Sequence, residues 1–156
     1  MSGRLTHLNE RGEAHIVDIG GKAVTARRAV ARSVLEAKAE TVAAIMGGSL
    51  KKGDALAVAR IAGIMAAKKT ADLIPLCHPI GLNKVDVEIT GAGSEIIVTA
   101  IAETDDRTGV EMEAMTAAAV AALTLYDMAK AIDRAMRISA VELMEKSGGK
   151  SGAFRR

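Results

Sequence analysis

The sequence predicts an α+β fold, one antiparallel sheet covered by helices, and three observations carry that expectation. Two alternating segments, LNKVDVEIT and EIIVTAIAETD, flank the turn Gly91-Ala-Gly93-Ser and read as a β-hairpin. Helical patterns lie on either side of it, ALAVARIAGIMAAKK before and MEAMTAAAVAALTLYDMAKAI after. A further extended segment stands at each end of this array, VTARRAVARSVL first and MRISAVELMEK last.

The elements follow in order. Residues 1–21 are polar and mixed as far as Gly20-Gly21, which predicts a flexible N-terminal arm. In VTARRAVARSVL, Arg28 and Arg32 share a parity with Val30 and Val34 while alanines fill the other, an imperfect strand pattern. Ala39 to Met46 reads as a short helix stopped at Gly47-Gly48. Asp54 is placed to cap the next helix, which is apolar on nearly every side and therefore predicts burial all round. TADLIPLCHPI holds both prolines of the chain, Pro75 and Pro79, and these bias Ile74 and His78 towards extended backbone. A stiff loop presenting Leu76, Cys77 and His78 is the result. Thr108-Gly-Val-Glu111 fits a capping box ahead of the long helix. MRISAVELMEK closes as the last strand, and residues 147–156, SGGKSGAFRR, read as a mobile Gly/Ser/Lys tail. The order β-α-β-β-α-β, its first crossover split into two helices, is the ferredoxin-like pattern within a single domain spanning 1–156.

Hydrophobic residues make up 49% of the 156, yet there is one Tyr, one Phe and no Trp. The core is therefore built from Ala, Val, Ile, Leu and Met. Small side chains bury little area apiece, which favours further burial by self-association into a homo-oligomer. A net charge of +2 selects no partner, and the shortage of aromatic stacking platforms argues against nucleic acid. A lone cysteine, Cys77, excludes an internal disulfide and suits a reducing cytoplasm. No apolar run approaches the ~18 residues of a membrane span, and the start carries no signal-peptide apolar core, so no membrane association is expected.

Several motifs fail on inspection. A phosphate loop ending at Gly149-Lys150-Ser151 requires Gly where Met144 stands, and no helix follows. GAGSEI lacks the third glycine of a dinucleotide fingerprint. His7, His15 and His78 show no metal-ligand spacing, so no metal site is expected. Cys77 and His78 are neighbours in an extended segment and point to opposite sides, which is no preformed nucleophilic dyad.

Four clusters remain. Lys52 beside Lys51, just ahead of a helix N-terminus, suits a general base or acid, against the bland reading of two solvated loop lysines. Leu76-Cys77-His78 occupies a rigid loop ahead of a strand, a good place for ligand contacts, with a surface turn as the alternative. Glu111 is accounted for by capping, whereas Glu113 is not; paired carboxylates suit a guanine-type amino edge or a proton shuttle. Asp127 and Lys130 share a helix face, either as an ordinary ion pair or as an acid/base couple.

The strings KGDALAVARIAGIMAAKKTADLIPLCHPI, TGVEMEAMTAAAVAALTLYDMAKAI and EKSGGKSG closely resemble the molybdenum cofactor biosynthesis protein C family, and THLNERGEAHIVDI resembles its opening. The likeness covers nearly the whole chain. It implies a lyase of molybdenum cofactor biosynthesis, a cyclic pyranopterin monophosphate synthase. Such an enzyme converts (8S)-3′,8-cyclo-7,8-dihydroguanosine 5′-triphosphate to cyclic pyranopterin monophosphate and releases pyrophosphate. By resemblance the catalytic residues are Asp127, Lys52 and Lys130. Substrate contacts fall on Leu76, Cys77, His78, Met112 and Glu113, with Glu111, Arg27 and Lys146 as further site residues. No cofactor is required, with Mg²⁺ admitted alongside the triphosphate or pyrophosphate. A hexamer, a trimer of dimers with the site at the dimer interface, is also implied. Asp106 stands where the family usually carries Gly, and Gly81 where it carries a bulkier apolar residue. Two readings from other classes stand beside this one: a non-catalytic anion-binding module on the same fold, and a structural self-assembling domain.

Overall fold

A computed structural model describes residues 7–156. Strand β1 (Thr25–Glu36) leads into helices α1 (Ala39–Met46), α2 (Ala55–Lys68) and α3 (Thr70–Leu73). Strands β2 (Lys84–Ala92) and β3 (Glu95–Asp106) form the hairpin, and α4 (Glu111–Ala129) crosses back to β4 (Arg137–Ser147). A two-residue strand, β5 (Phe154–Arg155), ends the chain. The sheet runs β2-β3-β1-β4-β5 with every pairing antiparallel. Its first four strands have the ferredoxin-like order, and the fold class matches the one expected.

The imperfect alternation of β1 has a simple origin. Ala29, Ala31, Ser33 and Leu35 face the helices and are fully buried, while the arginine-valine parity lies on the open face. There Arg28 meets Glu103 and Glu145 at 3.4 and 3.5 Å, Arg32 meets Glu142 at 2.6 Å, and Arg137 meets Glu36 at 2.7 Å. These cross-strand charge pairs help set register on that face.

Under the helices both surfaces are built from small residues. Ala114, Ala117, Ala118, Ala121 and Ala122 of α4 are fully buried against the sheet and α2. Such side chains let α4 lie close enough for Ser33 Oγ to donate to the Ala118 carbonyl at 2.7 Å. Gly63 makes a similarly close crossing of α2 over α4, since a Cβ there would stand 3.0 Å from the Ala117 carbonyl.

Two expectations need correction. Asp54 caps α2 as expected, accepting from the Ala57 N–H at 3.0 Å, but α2 is not buried all round. Its Ala55/Ala59/Gly63/Ala66 stripe packs, with Leu56, Ile64 and Ala67 also on the core, whereas Val58, Ile61 and Met65 are 44%, 59% and 59% exposed and covered by none of the described residues. The capping box at Thr108 does not form: Val110 is the residue before α4, no side chain caps it, and Glu111 is engaged elsewhere. The tail turns through Gly148 and Gly149 at φ 91° and 77° and returns to pair Glu145 with Arg155 and Lys146 with Phe154. Of the N-terminal arm, residues 1–6 lie outside the described residues. From His7 onward it makes a small loop closed by His15 N–H to the His7 carbonyl, and its Val17 carbonyl reaches His78.

Candidate active site

Both ends of α4 carry chemistry. At its N-terminal end is a cavity of about 380 Å³ whose walls include Leu76, Cys77, His78, Glu111, Met112 and Glu113. The proline-bracketed loop and the first turn of α4 thus bring five expected substrate contacts and Glu111 to one place. His78 Nε2 lies 2.7 Å from the Val17 carbonyl, so that nitrogen donates and the N-terminal segment is held over the cavity. Val17, Ile19, His7 and Lys22 complete the wall on that side.

Glu113 is 4% exposed. Burial, followed by the like charges of Glu111 and Asp106, pushes its pKa up to about 7, although its own backbone N–H works the other way. Burial, then the charge of Glu113, raises the Cys77 thiol. Neither group resembles an activated nucleophile, and Cys77 is no dyad with His78.

A second cleft of about 770 Å³ adjoins the first, sharing Lys22, Thr108 and Gly109 with it. Lys22, Arg27, Arg107 and Lys150 line it, and no carboxylate does. Arg27 Nε is buried without a hydrogen-bond partner among the described residues. A donor left this way on the edge of a cationic cleft is suited to an anion. Lys146 links the two spaces, donating to Glu111 Oε1 at 3.0 Å and to Ser151 Oγ at 2.5 Å. The tail glycines are needed here, because a Cβ on Gly149 would collide with the Arg27 guanidinium.

At the other end of α4, the Asp127 carboxylate takes one lysine on each oxygen. Lys130 Nζ stands 2.7 Å from Oδ1, and Lys52 Nζ stands 3.1 Å from Oδ2 and 2.9 Å from the Asp127 carbonyl. Hydrogen bonds from Lys130 and then Lys52 hold the Asp127 carboxyl below the usual carboxylate range. The three side chains are about half exposed, open to a ligand on one side. Asp54, by capping α2, fixes the loop that delivers Lys52; buried Asp133, bonded to Lys38 N–H, Thr41 Oγ and Ala135 N–H, ties the end of α4 to α1.

The expected site residues therefore fall into two groups, Asp127, Lys52 and Lys130 in one and the rest in the other. Glu113 and Asp127 are fourteen helical positions apart, ~21 Å at 1.5 Å per residue, so one chain does not unite them. Lys22 and Arg107 were not singled out in the sequence; His7 was weighed there only as a metal ligand, and Lys150 only as a charge of the Gly/Ser/Lys tail. The signal at Lys22 and Arg107 was adjacency to glycine loops, at Gly21-Lys22 and Arg107-Thr108-Gly109. Among the described residues no group of three or more His, Cys, Asp or Glu is arranged to hold a metal. Of the two departures, Asp106 accepts from the Arg107 N–H at 2.6 Å and adds negative charge near Glu113. Gly81 has open space where a side chain would project.

Comparison with known proteins gives a consistent picture. The cyclic pyranopterin monophosphate synthase 2 proteins of Mycobacterium bovis and Mycobacterium tuberculosis are each 56% identical over 155 residues, covering 99% of this chain and 93% of theirs. The cyclic pyranopterin monophosphate synthase of Brucella ovis is 55% identical over 154 residues, covering 97% and 93%. The profile of the MoaC family matches residues 16–149, which takes in both ends of α4 and the loops that meet them, and the chain belongs to that family.

Proposed function

We propose that this protein is a lyase of molybdenum cofactor biosynthesis, a cyclic pyranopterin monophosphate synthase. It takes (8S)-3′,8-cyclo-7,8-dihydroguanosine 5′-triphosphate, rebuilds the ring system, closes a cyclic phosphate and releases pyrophosphate. The observation that carries this reading is the division of labour along α4. A cavity with a buried carboxyl adjoins a carboxylate-free cleft with four cations at one end, and a Lys–Asp–Lys group stands at the other.

Each part fits a portion of the reaction. The cavity suits the planar, N–H-rich heterocycle, with Glu113 facing its amino edge. The cleft of Lys22, Arg27, Arg107 and Lys150 suits the phosphates, which need several fixed cations. Closing a cyclic phosphate with loss of pyrophosphate means attack of a sugar hydroxyl on the α-phosphorus, and positive charge near the leaving group favours that step. Opening and re-closing rings moves protons on and off nitrogen and oxygen. Asp127, held ionised between Lys52 and Lys130, is suited to accept such protons, and the two ammonium groups to donate them. No cofactor enters this scheme, and Mg²⁺ is admitted as a counter-ion of the phosphates.

The same reading requires two chains per site. Met112, Thr116, Ala119, Val120, Leu123 and Asp127 form the solvent-facing stripe of α4, with Leu123 57% exposed, beside the uncovered Val58, Ile61 and Met65 of α2. An antiparallel copy of α4 laid along this stripe about a two-fold axis near Val120 brings Glu113 of one chain to Asp127 of the other. The deeper alanines are spent on the chain's own core, so the contact is made by this outer stripe. A hexamer, three such dimers, and a cytoplasmic location complete the proposal; no helix of the described residues is long and apolar enough to cross a membrane.

Incubation with the cyclised guanosine triphosphate tests the activity. Pyrophosphate and cyclic pyranopterin monophosphate are expected from the protein and not from its Asp127→Asn variant. Binding without pyrophosphate release would leave an anion-binding module instead.

A further inference from the structure

Residues 7–24 line both cavities, yet none of them belongs to the buried core of the described residues. Along this stretch only Asn9, Val17 and Ile19 are partly covered. Asn9 is occupied in its own turn, accepting from the Arg11 and Glu13 N–H groups. Val17 and Ile19 instead form part of the wall of the first cavity. Between them Asp18, exposed and in neither wall, accepts from the Gly20 N–H at 2.8 Å, and the Lys22 N–H donates to the Ile19 carbonyl at 3.0 Å. The chain thus turns at Gly20-Gly21 and offers two carbonyls to the body. Each meets a side chain of the site: His78 Nε2 stands 2.7 Å from the Val17 carbonyl, and Arg107 Nε donates to the Lys22 carbonyl at 3.1 Å. A carbonyl only accepts, so both nitrogens carry their proton towards the segment. That leaves His78 Nδ1 and the two terminal nitrogens of Arg107 for a ligand.

We propose that this segment is a positioning element of the site: the Val17 and Lys22 carbonyls hold His78 and Arg107 in the orientations in which they bind substrate. The inference rests on the functional reading above for the substrate, and deepens it by adding groups that act through other residues. Loose arginine and imidazole side chains lose rotamer freedom when they take up a ligand, and side chains already fixed have less to lose. The dependence runs both ways. With no residue in the core, the segment stays closed on the cavities through the same two side chains that serve the ligand. Neither tie is made to α4, so both stand whether or not a second chain docks along that helix. Asp18 separates positioning from direct contact, because it shapes the turn yet lines neither cavity.

The test reads the two ties directly and then their effect on substrate. In nitrogen-15 spectra of the ligand-free protein, the His78 Nε2–H and Arg107 Nε–H are expected to be visible because their exchange with water is slowed. Each is assigned by its loss in His78→Gln or Arg107→Gln. Two loosened proteins, Asp18→Ala and the pair Val17→Ser with Ile19→Ser, are expected to weaken or lose both signals. Asp18→Asn, which keeps the acceptor for Gly20, is expected to retain them. Unchanged signals in both loosened proteins, or no slowed N–H in the parent, overturn the proposal and leave the lyase reading intact. Steady-state kinetics with the cyclised guanosine triphosphate supplies the second arm. Each loosened protein is expected to raise KM about tenfold with kcat within about threefold, the pattern of lost ground-state binding, and to melt close to the parent. In a His78→Gln, Arg107→Gln background the same changes are expected to cost less than about twofold, because the side chains through which the segment acts are gone. An equal cost in both backgrounds would mean that the segment touches substrate by itself, and overturns the proposal. Absence of pyrophosphate release from the parent ends the lyase reading alone, and the spectra still decide whether the two carbonyls hold the two side chains.

Discussion

Glu111 and Glu113 stand two positions apart on the first turn of α4 and meet opposite fates: Lys146 reaches Glu111 at 3.0 Å, and among the described residues no cation pairs with the buried Glu113. The paired carboxyl is ordinary ion-pair chemistry. The unpaired one stores free energy. With a folded-state pKa of about 7 against 4.5 in the unfolded chain, Glu113 keeps a proton on folding that the unfolded chain has lost between those values. Stability contributed by this group therefore falls as pH rises from about 4.5 to about 7, and is flat above. Glu113→Gln should be more stable than the parent at pH 8, by on the order of 2 kcal/mol, and nearly equal to it at pH 5. Urea unfolding at the two pH values and one fixed protein concentration measures it. An equal difference at both pH values would mean the effect comes from packing.

Lys52 and Lys130 each occupy one oxygen of Asp127. Either Lys→Ala change should lower product formation by about 10²–10⁴-fold, the range seen on removing a proton-transfer group, with little change in thermal unfolding because the side chains are half exposed. Near-parent turnover in a folded variant would take that lysine out of the reaction.

Cys77 should be dispensable as a nucleophile. Its thiol is raised by burial and by Glu113, which leaves little thiolate at neutral pH. Cys77→Ser is expected to keep activity within about tenfold of the parent, a loss of packing rather than of chemistry. Isolation of a thiol-linked intermediate would contradict this.

The tail lends Lys150 and Ser151 to the cationic cleft and is held on β4 by the two residues of β5 and by Arg156, all at its far end. Deleting Gly148 to Arg156 should weaken substrate binding by about tenfold or more, the worth of one charge-assisted hydrogen bond, while moving the melting temperature only slightly. A matching loss of stability would make the tail a structural strand first.

How much of this was legible depended on the range of the contact. The hairpin and α4 were readable because alternation and helical spacing persist over many residues, and Asp127–Lys130 because i,i+3 neighbours must meet. The capping box misled because Thr108 has the right spacing yet lies in the loop lining both cavities, and Glu111 turns to Lys146 instead. Lys52 to Asp127 joins positions 75 residues apart, which no local pattern encodes. Lys22, Arg107 and Lys150 look like solvated loop charges until the fold brings them round one cleft. The apolar all-round pattern of α2 was a true signal with a different cause: its outer face, Val58, Ile61 and Met65, is left uncovered by the described residues.

That uncovered face and the ~21 Å between Glu113 and Asp127 lead to the strongest test of the two-chain site. If the site draws Glu113 from one protomer and Asp127 from its partner, each single variant, Glu113→Ala or Asp127→Ala, damages every site in its own dimer. Mixing the two and letting subunits exchange makes heterodimers with one intact site and one doubly damaged site. Random exchange leaves about a quarter of all sites intact, so activity should return to about a quarter of the parent level from two inactive preparations. A single-chain site gives no such return, because every protomer in the mixture carries a lesion. Exchange itself is followed by mass spectrometry of differently tagged subunits, which separates failure to mix from failure to complement. Demonstrated exchange with no recovered activity would exclude the shared site and require α4 to bend its two ends together around one substrate.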